Sequence, residues 1–259
     1  MNELDPLLGT TVVLVAHPDD EVIGCGALMQ RMRRAVVVFA TDGAPRDPYF
    51  WKEYGSREAY SEIRKAEAEA ASSIVGAEPV FLSDAVPDGI ADQELFLQLP
   101  AAVYALERVL ADIRPHALLT LSYEGGHPDH DSACFIATVA GQRAGLPAWE
   151  APLYHRDADG KGEAQKFHDV LGTEVDLCIE GEELRKKLEM FRTYKSQKLT
   201  LNSFHPEIET FRPVCDYDFK HRPFPWKLNY ELWQWKMTGE QVSEEFRKYL
   251  EANQDVVIG

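Results

Sequence analysis

Three stretches of this chain are apolar almost without interruption: Thr11–Ala16, Ala35–Ala40 and Ala117–Leu121. A strand with one wet face alternates polar and apolar residues. A strand apolar at nearly every position is buried on both faces, which points to a parallel sheet covered by helices. The intervening segments carry the helical period. Residues 57–75 are alanine-rich, with Ile63, Ala66, Ala70 and Ile74 on one stripe. Val103, Leu106, Leu110 and Ile113 form another, opened near Pro100 and stopped at Arg114-Pro115. Helices are also expected from Asp20 to about Arg33 and from about Asp131 to Gly145, with a short strand at Pro79–Leu82. Such alternation implies right-handed βαβ crossovers and an α/β, three-layer fold with a mostly parallel sheet.

The first and third apolar runs each lead into imidazole and carboxylate: Ala16-His17-Pro18-Asp19-Asp20-Glu21 and His127-Pro128-Asp129-His130. Ligands of open α/β sheets bind at the carboxyl ends of the strands, so the fold can bring the two strings together. At a strand-to-helix turn His17 and Asp20 face one point, and Pro18 stiffens that turn. His130 can supply a third ligand from the other strand end. A His/Asp/His set suits zinc or a similar divalent ion and leaves a fourth position for water. Asp19, beside a ligand but free, is placed to take a proton from water. His127 is close enough to polarise a carbonyl or protonate a leaving amine. Asp129 is expected to orient that imidazole and favour its protonated form. Singly, an Asp-Asp pair is usually a helix N-terminus and a loop histidine is usually surface. Both strings at strand ends together point to a metal site.

Other motifs drop out. Gly24-Cys25-Gly26 lacks the last glycine of a dinucleotide fingerprint (Met29 stands there), and His17–Asp20 occupies the phosphate-cradling turn. No Walker loop or G-x-S-x-G elbow is present. His116, His155, His168, His205 and His221 read as structural or exposed. Cys25, Cys134, Cys178 and Cys215 form no C-x-x-C pair and read as reduced thiols, with buried packing the expected role of all four. No apolar run reaches the roughly 18–20 residues of a membrane span, and the N-terminal residues do not read as a signal peptide, so a cytoplasmic location is expected. A net charge of −16 argues against nucleic acid and anionic membranes as partners and suits a neutral or cationic substrate better than a polyanion.

At the two strings the chain resembles the LmbE-like, or PIG-L, zinc-dependent deacetylases. The resemblance extends to Thr41-Asp42-Gly43, Arg64-x-x-Glu67, Leu82…Pro87-Asp88-Gly89 and Tyr194-Lys195-Ser196-Gln197, over roughly residues 10–200. It implies a Rossmann-like fold and one zinc per chain held by His17, Asp20 and His130, with Fe2+ as another possible ion. It makes Asp19 the general base and His127, assisted by Asp129, the oxyanion stabiliser or acid. Arg64 and Asp88 look like sugar contacts. The implied reaction is removal of the N-acetyl group from an N-acetylglucosamine-type sugar or its conjugate. An amidase of a non-sugar or thiol-conjugate amide is the alternative that keeps the same site. A non-catalytic binding protein on this fold is disfavoured because Asp19 and every ligand are present. Some members carry a tyrosine two residues before the first histidine of H-P-D-H. Here that position is Gly125, and Tyr123 either substitutes or the assistance is absent.

The 259 residues read as a single domain, with a core of about 10–200 and a C-terminal extension of about 201–259. Beyond residue 150 the strand–helix alternation weakens. Leu184, Leu188 and Phe191 mark one helix, and Thr238-x-x-Gln241 is a capping box opening a last one, with Val242, Phe246, Tyr249 and Leu250 inward. Residues 204–235 between them are rich in aromatics and proline. Trp226, Trp233 and Trp235 either stack on sugar faces, line a homo-oligomer contact, or pack against the last helix, the last being the simplest reading for any one of them.

Overall fold

Thr10–Val15 (β1) is buried at every position, as a β-branched run without polar alternation requires. The computed structural model describes residues 3–254. From β1 the chain continues through Asp20–Gly24 (α1), Arg34–Phe39 (β2), Arg57–Val75 (α2), Glu78–Phe81 (β3), Leu99–Ile113 (α3), Ala117–Leu121 (β4), Pro128–Ala144 (α4) and Ala148–Ala151 (β5). The remainder comprises Tyr154–Arg156 (β6), Gly162–Ala164 (β7), Val175–Asp176 (β8), Gly181–Thr193 (α5), Lys198–Leu201 (α6), Thr210–Pro213 (β9), Asn229–Leu232 (α7) and Gly239–Ala252 (α8).

The main sheet has seven strands in the order β3-β2-β1-β4-β5-β9-β8. β3, β2, β1, β4 and β5 are mutually parallel, while β9 and β8 close one edge antiparallel. α2 packs on α5, and α3 packs on α4 and α8, so helices cover the sheet in a three-layer, Rossmann-like arrangement. Strand order reverses direction at β1, whose neighbours β2 and β4 are followed by crossovers running to opposite sides. β1 and β4 lie in register, Thr11 beside Ala117 and Val13 beside Leu119, so their carboxyl ends finish side by side. Ligand crevices form at such a switch point.

Two helices differ from expectation. The helix expected over Asp20–Arg33 stops at Gly24, and a single 3-10 turn, Leu28–Arg31, follows. The reason is tertiary. Glu209, from the chain entering β9, accepts the backbone N–H groups of Ala27 at 2.6 Å and Leu28 at 2.9 Å. Its charge is met at 2.8 Å by Lys187 of α5, and both side chains are fully buried. The helix expected from Asp131 begins three residues earlier, at Pro128, because the His127 ring caps it by accepting from the Asp129 backbone N–H at 3.1 Å. The Thr238–Gln241 capping box of α8 is present in both directions.

Candidate metal centre and active site

Four loops at the carboxyl ends of parallel strands converge. The loop after β1 carries His17, Asp19 and Asp20, and that after β4 carries His127, Asp129 and His130. The loops after β2 and β3 are tied to each other, Asp42 N–H donating to Ile90 O at 2.9 Å and Pro45 bridging Asp92, which brings the Asp92 carboxylate inward. All of these side chains are buried.

The three expected ligands meet through Asp20. One of its oxygens lies 3.2 Å from His17 Nδ1 and the other 3.2 Å from His130 Nε2. On the far side of the His17 ring, Nε2 is 3.2 Å from Asp129 Oδ2 and 3.4 Å from Asp92 Oδ1, and His127 Nε2 also approaches Asp92 Oδ1 at 3.4 Å. Donor atoms of His17, Asp92, His127 and Asp129 all lie within 4.8 Å of one another, as do those of His17, His127 and His130. Asp92 Oδ1 is buried without a hydrogen-bond partner between two imidazoles. An orphaned carboxylate oxygen among histidines is what a divalent-ion site offers, and imidazole with carboxylate is the donor chemistry of zinc and similar ions. The residues therefore fit such an ion.

The electrostatics are those of a mutually paired cluster. Burial works against charge on Asp20, yet His130 and His17 hold its pKa well below the usual carboxylate range. Asp92 is depressed in the same way, chiefly by His17. Burial also opposes charge on His17, but Asp92 and Asp20 outweigh it and raise its pKa. Asp19 goes the other way. Burial pushes it up to about 7 against the opposing guanidinium of Arg64.

Arg64, on α2, lies 3.1 Å from Asp19 Oδ1 and 3.8 Å from Asp92 Oδ2. Its guanidinium also donates to Gly43 O at 2.6 Å and to Pro18 O. These contacts make it a brace of the motif loop and of Asp19, and it is only 4% exposed. Asp19 itself adopts φ +126°, a strained value for a residue with a Cβ. Its N–H is received by Glu21 Oε2 at 3.0 Å.

Asp129 handles His127 differently from the sequence expectation. Its carboxylate stands 3.9 Å from His127 Nδ1 and is occupied by the N–H groups of Gln93 at 2.6 Å and Leu95 at 3.0 Å. Its backbone N–H is what reaches Nδ1. Burial, reinforced by His17, lowers the pKa of His127, so the neutral ring is favoured, not the imidazolium. With Nδ1 accepting, the single proton of that ring sits on Nε2, facing the cluster. Asp88 is exposed on its turn at φ +66°, and Asp92, four residues on, is the carboxylate this loop delivers to the cluster. Tyr123 points away, its hydroxyl donating to His221 O at 2.8 Å, so it does not stand in for the tyrosine absent at Gly125. A different phenol ring, Tyr154, meets His130 edge-on, with centroids 5.2 Å apart.

A cleft of about 810 Å³ lies beside the centre and reaches the cluster at Asp92. The loop of residues 44–56 supplies one wall through Arg46, Tyr49 and Phe50, and the C-terminal region supplies another through Trp233 and Trp235. The Trp235 ring meets that of His127 edge-on at 4.9 Å. Trp226 instead packs within the fold, stacked on Phe224 and donating to Arg156 O at 2.8 Å. Asp92, Tyr154 and Trp235 are the site residues that sequence reading missed or left unassigned. None of them lies in a distinctive spacing.

A parallel α/β sheet with a buried imidazole–carboxylate cluster at its switch point defines a Rossmann-like protein with a donor set suited to a divalent ion. Comparison with known proteins narrows the class. Residues 12–140 match the family described as PIG-L, GlcNAc-PI de-N-acetylase, so the chain carries a PIG-L/LmbE family domain. The 1D-myo-inositol 2-acetamido-2-deoxy-alpha-D-glucopyranoside deacetylase of Rhodococcus erythropolis is 32% identical over 170 residues, 54% of this chain and 58% of that protein. The protein of the same name from Mycobacterium sp. is 31% identical over 60% of this chain and 55% of its own length. The chain thus spans well under two thirds of these curated relatives. Among solved structures, a deacetylase of the teicoplanin biosynthetic pathway superposes with a TM-score of 0.63 at 17% identity, covering 81% of this chain and 99% of its own. The A40926 pseudoaglycone deacetylase gives 0.61 at 20% identity, over 80% and 98%. At these identities the structural likeness establishes the fold.

Proposed function

We propose that this chain is a metal-dependent hydrolase that removes the N-acetyl group from an N-acetylglucosamine-type sugar or its conjugate, with zinc as the ion. The observation that carries this reading is Asp19. It is a buried carboxylate held near neutrality, fixed in a strained backbone conformation beside the His17–Asp20–His130 row. The names of the curated relatives, deacetylases of an acetamido sugar on inositol, supply the substrate class.

His17, Asp20 and His130 would hold the ion, with Asp92 and Asp129 lining the same pocket. A divalent ion bound there supplies a Lewis acid that polarises an amide carbonyl and acidifies water. The remaining steps belong to the chain. Asp19 Oδ takes the proton of the attacking water and returns it to the departing amine nitrogen. Arg64 fixes the position of Asp19 and limits the cost of its charge. His127 Nε2–H donates to the amide oxygen as negative charge builds there, a role that needs no imidazolium. Burial of the cluster keeps competing water out and strengthens each of these interactions.

The test is to supply the full chain with one divalent ion and a panel of N-acetylglucosaminides, measuring acetate and free amine. Equal release of both from the sugars is expected, with weaker activity on simple N-acetyl amino acids. Preferred cleavage of the non-sugar amides overturns the substrate class, and no release from any amide overturns the activity.

A further inference from the structure

His127 follows two glycines, so the turn that delivers it has no side chains of its own to anchor it. Both glycines are required by what surrounds them. Gly125 takes φ +67°, and a Cβ there would stand 2.6 Å from Leu228 Cδ2, while a Cβ on Gly126 would overlap Tyr154 O. The groups that fix the turn come from outside it. Asp131 Oδ1 receives the N–H groups of Glu124 at 3.1 Å and Gly125 at 2.9 Å. The carbonyls are held by Asn229, the first residue of α7 in the C-terminal region. Its backbone N–H donates to Gly125 O at 3.0 Å and its Nδ2 to Gly126 O at 3.2 Å. Arg156 decides the orientation of that side-chain amide, because its Nε can only donate and does so to Asn229 Oδ1 at 2.8 Å. Asn229 is buried, and Glu231 secures the start of its helix by receiving the N–H of Leu228 at 2.9 Å. Gly126 O and His127 N belong to one planar peptide unit, so a group that fixes this carbonyl fixes the plane from which His127 departs. The same C-terminal region also meets the ring itself, through the edge-on contact of Trp235.

We propose that Asn229 is the positioning residue of His127: its side-chain amide locks the Gly126–His127 peptide so that Nε2–H stays aimed at the reacting amide oxygen. A donor to a developing oxyanion is effective only when it is held in place beforehand, and the two glycines cannot supply that rigidity. The C-terminal region thereby serves the chemistry and not only the packing of the sheet. The proposal rests on the deacetylase reading and adds to it a residue that acts through His127.

The experiment measures kcat, KM and bound metal for the zinc-loaded full chain carrying Asn229→Asp or Asn229→Ala, each alone and combined with His127→Ala. Asn229→Asp keeps the shape and the acceptor for Arg156 and removes only the donor to Gly126 O. Alone, each substitution should lower kcat by about 10- to 100-fold, the cost of misplacing a reacting group, with KM and metal content unchanged. Added to His127→Ala, each should cost less than about twofold, because the group it positions is already gone. A residue that merely supports the fold would lower activity by the same factor in both backgrounds, and that result overturns the proposal. Unchanged kcat, or a loss of metal that would place the effect on His130, overturns it as well. If neither Asn229 variant folds, Arg156→Ala decides. It leaves the Asn229 amide free to turn and should lower kcat only where His127 is present. If wild type turns over no amide, the deacetylase reading fails separately. The positioning is then read from the imidazole nitrogen resonances of His127 in the 15N-labelled zinc-loaded chain, which should shift in Asn229→Asp. Unshifted resonances in that variant overturn it.

Discussion

The phenol of Tyr194 donates to Glu21 Oε1 at 2.6 Å, and both residues are buried. The other oxygen of that carboxylate receives the N–H of Asp19, so a residue from the end of α5 sets the backbone on which Asp19 holds φ +126°. The neighbours of Tyr194 serve the same frame. Ser196 donates through its N–H and hydroxyl to Glu67, at 3.0 and 2.6 Å, and the Gln197 side chain donates to Tyr60 OH at 2.6 Å. Glu67 and Tyr60 lie on the helix that bears Arg64.

Tyr194→Phe therefore removes the outer support of Asp19 while touching neither cluster nor substrate. Small misplacement of a reacting group is costly, and a kcat lower by about 10- to 100-fold is expected, with KM and metal content unchanged. A parallel loss of bound metal would show that Tyr194 supports the fold of the motif loop and not Asp19 alone.

Asp19 and Asp20 are adjacent in sequence but are expected to separate by experiment. Asp19→Asn should keep its metal and lose roughly 10²–10⁴-fold in kcat, the range of a positioned general base. His17→Ala, Asp20→Ala and His130→Ala should each lose most of the ion, read by elemental analysis of the purified protein. Metal lost from Asp92→Ala but retained by Asp20→Ala would transfer the ligand set to His17, Asp92, His127 and Asp129.

Arg64→Ala is expected to lower kcat/KM by a similar factor for every amide substrate, sugar or not. Its two terminal nitrogens face Gly43, Pro18 and Asp19, and only Nε is left without a partner, so its loss falls on the base common to all of them. A loss confined to sugars would return Arg64 to the role of a sugar contact.

The parts legible in the sequence are those encoded locally. Buried strands declare themselves by unbroken apolar runs, and His17–Asp20 and His127–His130 sit where such runs end, so β1, β4 and the convergence of their loops could be read directly. Asp92 could not. It is one acid among many in an acidic chain, brought inward only because the loops after β2 and β3 bond to each other. The early end of α1 was hidden for the same reason, since Glu209 stands more than 180 residues from the N–H groups it receives. The His127 tautomer depends on a backbone N–H, which no side-chain pattern announces.

The Lys187–Glu209 pair is expected to matter more to stability than any surface pair. Removing one partner leaves a charge buried and unpaired, which costs about 3–5 kcal/mol. Glu209→Ala also strands the Ala27 and Leu28 N–H groups behind the metal loop. Thermal or denaturant unfolding of Lys187→Met and Glu209→Ala should show losses of this order, whereas Arg185→Ala, in an exposed pair, should change stability by about 1 kcal/mol or less. Near-wild-type stability in both buried-pair variants would mean that water reaches the pair.

A second buried pair, Glu150 with Arg212, gives stability a predictable dependence on pH. Arg212 Nε donates to Glu150 at 2.7 Å, and Tyr217 OH lies 2.8 and 2.9 Å from its two oxygens. Burial nevertheless outweighs Arg212 and raises the Glu150 carboxyl from about 4.5 to about 7. The folded state thus holds a proton that the unfolded chain releases near pH 4.5. The associated stability is complete below that pH and is lost as pH rises through about 7. Glu150→Gln keeps the shape and titrates nothing. The unfolding free energy of wild type minus that of the variant should therefore fall between about pH 5 and 8, at no more than about 1.4 kcal/mol per pH unit. If the difference stays flat or rises with pH, Arg212 prevails over burial and Glu150 is already ionised across this range.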